Sequence, residues 1–438
     1  MFELVNILFI FVTFLFLTCV PFNIFADNFN IFQSNFLKIK SLNLIINLNF
    51  LLSISLLPIT ISQIKSYILI FYFVFFILIY WKTIFNFLNR DYLFKIITLF
   101  VIFFILAFNI MYNLEFKWHT QIYDYLRYLV FFQDGVYSEL NSYNWGKIGS
   151  AHFHPHFGQY LWALFSRISL LNNEIYGRLF HLFLYCFSLL FLVQQSVLTK
   201  TTIRLIFFIV LVLLTYDYEF FSGTQEILIF SFLVLVSVNI LNIYNKQKYL
   251  LDLCSCLLIL NLLIWTKSEG FIYGFILILA IFFSPILKKD KFIVLSIYLA
   301  LNLFKYIIFE LNEFSSVARP GLYTIDYILN MDLGLILLRI KQIIFWSIYY
   351  LSVNEIWIIC LISMMLLIFK VKNSFINYKF LYIFLFLNIL FIFASYMLPT
   401  IDSGYYIKAT LNREIFSTSG FFIIAIIIYT NLLLDKKY

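Results

Sequence analysis

Charge is scarce in this chain. Only 12% of its 438 residues are Asp, Glu, Lys or Arg, against roughly a quarter in soluble domains, which excludes an ordinary water-soluble enzyme. Glycine and proline are scarce as well, at 12 and 6 residues, which removes the collagen-like and disordered classes. The five cysteines, Cys19, Cys186, Cys254, Cys256 and Cys360, all lie in apolar stretches. Their spacing gives neither a disulfide framework nor a zinc-site pattern, and Cys254 with Cys256 reads as packing. There is no Gly-rich phosphate loop, no soluble nucleotide-binding segment and no visible internal repeat of the kind that inverted-repeat transporters carry.

What the chain has in excess is apolar surface: 63% hydrophobic residues, 57 of them Phe, and a mean hydropathy of +0.96. Apolar runs fall near 4–20, 44–62, 67–81, 94–112, 157–171, 176–197, 203–216, 225–244, 249–265, 271–286, 292–309, 333–369, 379–398 and 414–434. A hydrocarbon core of ~30 Å needs about 20 such residues per helix, and lipid-exposed backbone must satisfy itself internally. The strict alternation of a membrane barrel is absent. The expected fold is therefore all-α, a polytopic membrane protein with about 12–13 transmembrane helices, outer-face loops and interfacial helices. Residues 1–93 form N-terminal helices ahead of a core over 94–438. The run from Leu4 to Pro21 follows Glu3, with no Lys or Arg before Lys38, so it is expected to stay as a helix rather than be cleaved as a signal.

The formal charge of +8 is a topology signal, since Lys and Arg stay on the cytoplasmic side. With no soluble domain to present a basic face, nucleic acid is excluded as a partner. Clusters at Lys82/Arg90/Lys95, Lys200/Arg204, Lys246/Lys248, Lys288/Lys289/Lys291, Lys370/Lys372/Lys379 and Lys436/Lys437 belong inside. That leaves 113–156, 217–224, 311–332 and 399–413 outside, with 113–156 as the working surface. The run 157–171 is too short for a simple span and is expected to be interfacial or re-entrant. Residues 333–352, carrying Arg339 and Lys341, are expected to form an amphipathic helix on the outer surface.

Residues able to do chemistry concentrate in these outer segments. The loop NLEFKWHTQIYDYLRYLVFFQDGVYSELN places Glu115, His119 and Asp124 within ten residues, on an expected amphipathic helix over 118–132. They form either a solvated juxtamembrane face or a pocket in which a carboxylate deprotonates an acceptor hydroxyl. In SAHFHPHFGQYLWALF the alternation of His152, His154 and His156 would suit a transition metal, though water, lipid phosphate or substrate is the commoner use of such histidines. Glu226, in TYDYEFFSGTQEILIF, opens an apolar helix, where the dipole favours negative charge. IWTKSEGFIYG sets Lys267 and Glu269 between two apolar runs, as a turn pair or a functional one. PTIDSGYYIKATLNREIFSTSGFF puts Lys408 and Arg413 outside, against the charge rule, so an anion such as phosphate or a lipid headgroup is the expected partner. Tyr125, Tyr128, Tyr137, Trp145 and Trp162 could stack on sugars, but interfacial anchoring accounts for most of them.

The order of these motifs resembles the GT-C superfamily of integral-membrane glycosyltransferases, in particular glycosyltransferase family 39 and the dolichyl-phosphate-mannose-type enzymes. An acidic outer loop (Glu115, Asp124) leads into YLRYLVFFQDG ending at Gly135. HPHFGQYLWALF stands where relatives have a Tyr-Pro-Pro-like segment. SGTQEILIFSFLVLV, with Glu226 in the acidic place, resembles a "GYADxxLAFFLLLA" stretch. TKSEGFIYG resembles a "K-x-x-G" hairpin, and LNREIF a late Arg before the final helix. The likeness runs from about residue 94 to 434. The chain departs from the family in having about four helices before the acidic loop, and in having His119 and Asp124 where many relatives have Asp and His.

The resemblance implies an inverting transfer of a sugar from a polyprenyl-phosphate donor to a glycan, lipid or protein acceptor. The expected location is a bacterial inner membrane with the active face outward. Glu115 or Asp124 is then the base, with His119, His154, His156 and Glu226 binding substrate and Lys267, Lys408 and Arg413 meeting the departing phosphate. No cofactor is implied with certainty; relatives divide over a divalent metal. Two other classes fit the composition. A transporter or flippase for lipid-linked saccharides would place its charges inside the spans, and a polysaccharide polymerase or ligase would carry a large late loop in place of the short 399–413.

Overall fold

In lipid a backbone has few ways to satisfy itself, and among the described residues every regular element is a helix. The computed structural model describes residues 2–19, 36–57, 59–66, 68, 90–112, 116, 121, 124–134, 155–198, 200–245, 249–311, 332–370, 377–397 and 403–434. In chain order the helices are α1 (Phe2–Cys19), α2 (Phe36–Ser55), α3 (Arg90–Tyr112), α4 (Tyr125–Asp134), α5 (Phe157–Ile168), α6 (Glu174–Val193), α7 (Thr201–Thr215) and α8 (Glu226–Tyr244). They continue as α9 (Leu250–Thr266), α10 (Glu269–Phe282), α11 (Lys288–Leu311), α12 (Leu333–Val353), α13 (Glu355–Lys370), α14 (Lys379–Tyr396), α15 (Ser403–Phe422) and α16 (Ile424–Leu434).

Among the described residues, eight helical stretches are long and apolar enough to cross a membrane: Leu37–Ser55, Leu93–Tyr112, Glu174–Val193, Glu226–Tyr244, Lys288–Leu311, Leu333–Val353, Lys379–Tyr396 and Ile407–Leu434. This makes the chain an all-α, multi-pass membrane protein. The apolar stretches Glu3–Thr18, Thr201–Thr215, Leu250–Thr266 and Glu269–Phe282 are shorter, about 21–26 Å at 1.5 Å per residue. Most of the run 67–81 lies outside the described residues. In the run 157–171, α5 has 12 residues, about 18 Å, short of the ~30 Å hydrocarbon core.

Residues 333–352, expected to form a surface helix, have over Leu333–Val353 the length and hydropathy of a span. Of the two charges that suggested a wet face, Lys341 is exposed, whereas Arg339 is buried and donates to the Met397 carbonyl at 2.9 Å.

The chain falls into two compact units, Met1–Ser231 and Phe232–Tyr438. The first is held by phenylalanine. Phe11, Phe14, Phe103, Phe165, Phe180 and Phe183 interlock with centroids 4.3–6.4 Å apart, Phe165 stacked on Phe180, a packing that joins α1, α3, α5 and α6. At the end of α1, where helix carbonyls lack partners, Asn43 and Asn47, one turn apart on α2, donate to the carbonyls of Thr18 and Leu17.

α5 and α6 form an antiparallel hairpin. Asn172 takes a positive φ of 48° in the turn, and Asn173 caps α6 by accepting from the Ile175 amide. Its register repeats along its length. A Cβ on Gly177 would sit 2.1 Å from the Trp162 carbonyl, and Ser166 reaches the Glu174 carbonyl at 3.3 Å.

In the second unit Tyr298 and Lys305 of α11 donate to the Phe271 and Ile264 carbonyls, stitching α11 to α10 and α9. Arg339, Tyr350 and Trp357 donate to the carbonyls of Met397, Lys408 and Ile415. Each bond joins residues 58 apart, so α12 and the start of α13 run parallel to α15 in one fixed register.

Candidate functional site

In the first unit the site is built where α4 meets α5. Asp124 immediately precedes α4 and is only 7% exposed. Its Oδ1 accepts from the Gln159 side-chain amide at 2.5 Å. Arg127, one turn along, is buried and donates to the Pro155 carbonyl at 2.9 Å. Arg167 closes the other end of α4, donating twice to the Phe132 carbonyl with its guanidinium 3.8 Å above that residue's ring. The acidic loop and the His-Pro-His segment, 30 residues apart in sequence, are thus fastened together at the start of α5.

His156 is buried, its Nε2 3.0 Å from the Ser55 hydroxyl. The same hydroxyl lies 2.6 Å from the Leu52 carbonyl, so His156 is tied to the end of α2. His152, His154, Glu115 and His119 lie outside the described residues. Among the described residues no three His, Cys, Asp or Glu side chains converge as metal ligands.

The aromatic residues beside Asp124 pack on one another. Trp162 stacks on Tyr128 at 4.6 Å, Tyr128 on Tyr125 at 5.6 Å, and the Trp162 indole donates to the Glu174 carbonyl. Trp162 and Tyr128 are buried, so neither offers a free face to a sugar; Tyr137 and Trp145 lie outside the described residues. Burial pushes the phenols of Tyr125 and Tyr128 above their ordinary range.

α6 carries a polar stripe with no counterpart among the residues expected to do chemistry. Glu174, Arg178 and His181 recur every three or four residues on α6 and share a face. Arg178 is fully buried, bonded to Glu174 at 2.8 Å and stacked over Phe116 at 4.9 Å. Among the described residues its Nε and Nη1 meet no hydrogen-bond partner, nor do His181 Nε2, Gln159 Oε1 or Gln225 Oε1. Gln225, just before Glu226, rests against Gly158, where a Cβ would lie 1.3 Å from its Oε1. An unmatched buried polar atom costs about 1–3 kcal/mol, so a group of five calls for a cause. Glu226 itself is buried at the start of α8.

The second unit holds the basic candidates. Lys267, in the tight turn between α9 and α10, lies 3.1 Å from both Glu269 and Glu414, and Tyr273 donates to the other Glu414 oxygen. One positive charge thus faces two carboxylates, which fits Lys267 for holding this turn to α15 rather than for meeting a phosphate. Lys408 is exposed, its ammonium 5.4 Å from the Trp346 ring centre. Arg413 sits one residue before Glu414 and its carbonyl accepts from Ser417.

Glu414, Tyr273, Gln159 and Arg178 were missed as site residues. The available signal was an ionisable residue inside an apolar helix, costly enough to need a partner or a role: Glu414 in REIFSTSGFF and Arg178 in YGRLFHLFLY. No family model, no curated protein and no solved structure matches the chain.

Proposed function

We propose that the chain is a membrane glycosyltransferase that moves a sugar from a polyprenyl-phosphate-linked donor to a glycan, lipid or protein acceptor on the outer face of the membrane. The observation that carries the reading is the Asp124–Gln159 bond: a buried carboxylate, held in one orientation beside the segment that follows it in the GT-C-like motif order. General-base work needs an acid whose position is fixed within hydrogen-bond reach of the proton it takes. In the proposed step the acceptor hydroxyl gives its proton to Asp124 while its oxygen bonds the anomeric carbon from the face opposite the phosphate. The carbon–phosphate-oxygen bond breaks, the electron pair leaves with the phosphate, and the anomeric configuration inverts. The charge that develops on the departing phosphate is of the kind that preplaced positive groups meet best.

A transporter for lipid-linked saccharides is the second reading, favoured by one observation: Lys267, Glu414 and Tyr273 form a charged network among apolar helices, where such groups often mark a transport path.

Cells lacking the gene, complemented with wild type, Asp124→Asn or Glu414→Gln, separate the two when surface glycan and lipid-linked sugars are read by mass spectrometry. The transferase reading expects Asp124→Asn, at normal expression, to lose one sugar from the glycan and accumulate its lipid-linked donor. A normal glycan with Asp124→Asn, together with whole lipid-linked saccharides trapped inside by Glu414→Gln, would sink it in favour of transport.

A further inference from the structure

We propose that the end of the second unit where α10 stops and α11 and α14 begin is a binding site for an anionic phospholipid. Lys288, Lys291 and Lys379 hold its phosphate, and the apolar side chains beside them receive its acyl chains. The site is independent of what the protein transfers or carries.

Three helices bring the lysines together. α10 ends at Phe282, and two of the stretches able to cross a membrane, Lys288–Leu311 and Lys379–Tyr396, begin beside it. Lys291 of α11 lays its ammonium 5.9 Å from the Phe282 ring centre, and Lys379 of α14 lays its own 5.9 Å from that of Phe283. Consecutive rings at the end of α10 thus carry two cations from separate helices. Both helix ends are pinned: Phe292 packs edge-on against Phe282 at 5.9 Å, and Phe380 packs on Tyr244 at 4.9 Å. Lys288 lies three residues before Lys291 and shares its side of α11, and Lys291 feels the positive charge of both Lys288 and Lys379. Lys289, exposed between the first two in sequence, adds to the excess. Among the described residues none of the three forms an ion pair. The carboxylate nearest in sequence, Asp290, accepts from the Tyr249 hydroxyl at 2.7 Å.

Lysines at helix ends set topology, but that role is served anywhere on a loop. It needs neither convergence from separate helices nor rings beneath the charges. What lies next to the lysines selects the ligand. Phe283, Leu287 and Phe292 each leave half or more of their surface uncovered, so an apolar shelf adjoins the cations. A soluble anion would use the lysines and ignore the shelf. A phospholipid uses both, with phosphate against ammonium and acyl chain against phenyl and leucine side chains. Basic pockets between transmembrane helices take acidic headgroups in this way. A choline headgroup neutralises its own phosphate and gains little there, so the lipid that fits is one with net negative charge.

The test uses the full-length protein in nanodiscs of phosphatidylcholine, or of phosphatidylcholine and phosphatidylglycerol in equal parts. Thermal unfolding reads the stabilisation, and native mass spectrometry after release into detergent reads the lipid retained. Wild type should have the higher Tm in the mixed discs and retain phosphatidylglycerol in preference to phosphatidylcholine. Each lysine changed to glutamine should weaken that preference about fivefold, and Lys288→Gln, Lys291→Gln and Lys379→Gln combined should abolish it. Arginine at the same three positions should keep it. Lys200→Gln, which removes one charge from an exposed position in the first unit, should leave it unchanged. If the triple glutamine variant fails to fold, Lys379→Gln alone, which leaves α11 intact, is read for the loss of about fivefold. Equal retention of the two lipids by wild type overturns the proposal. An unchanged preference in the glutamine variants does so too, as does an equal loss with Lys200→Gln. Inorganic phosphate that stabilises wild type in phosphatidylcholine discs and displaces phosphatidylglycerol would overturn it in favour of a soluble anion.

Discussion

Replacing Lys267 with methionine would remove the cation that Glu269 and Glu414 both contact. Replacing Glu414 with glutamine would leave Lys267 one carboxylate and Tyr273 an acceptor. The two substitutions should therefore differ. Removing one partner from a buried pair is costly because the other charge remains, and Lys267 is partly exposed, which reduces the cost. We expect Lys267→Met to destabilise the protein by about 2 kcal/mol and Glu414→Gln by less. Lys267→Met with Glu414→Leu should recover part of the loss, as a double-mutant cycle in denaturant would measure. The turn pair Lys267–Glu269 was legible because the residues adjoin. Glu414 was not, because its partner is 147 residues away and apolar sequence carries no long-range pairing signal. The same holds for Asp124, recognisable as an acid between apolar runs, and Gln159, an unremarked amide until α4 and α5 are packed.

Helix lengths and small residues decide what the elements can do. A Cβ on Gly177 would meet the carbonyl and indole of Trp162 and the Ser166 hydroxyl, all within 2.6 Å, and a backbone carbonyl cannot turn aside as a side chain can. Gly177→Ala should open the α5–α6 hairpin and cost about 1–3 kcal/mol, seen as a fall in Tm. α4 has its own pH signature. An unfolded tyrosine ionises near pH 10, whereas folded Tyr128 holds its proton higher because it is buried. Its contribution to stability is complete below pH 10 and is lost as pH rises beyond that. Tyr128→Phe should therefore lose less Tm than wild type between pH 9 and pH 11. The short element at 157–171 was legible from length alone. Leu333–Val353 was expected on the surface because of Arg339 and Lys341; its length and hydropathy also suit a span, and nothing local showed the Met397 carbonyl waiting for Arg339.

At the scale of the whole molecule, the boundary between units at Ser231 and Phe232 falls inside α8, a helix 94% buried over its span. A cut there would leave unpaired amides and carbonyls at both new ends, with no water in a bilayer core to receive them. Co-expressed fragments 1–231 and 232–438 should give no assembled protein. Fragments divided between Asn245 and Tyr249, past the end of α8, should yield some, judged by co-purification. The all-α membrane class was written in composition; the division into units was not, since it depends on which apolar faces meet.

Burial is divided unequally among the long helices. Buried residues make up 94% of the spans of α6 and α8 but 11% of those of α11 and α12. Side chains on α11 and α12 that touch only lipid are constrained to be apolar and to fit no neighbour, so over generations Leu, Ile, Phe and Val can replace one another there almost at random. α6 and α8 have less latitude, since nearly every side chain there is buried among neighbours. A collection of descendants of this gene would drift fastest along its outermost helices, and ancestry would be traceable longest around Arg178 and the start of α8.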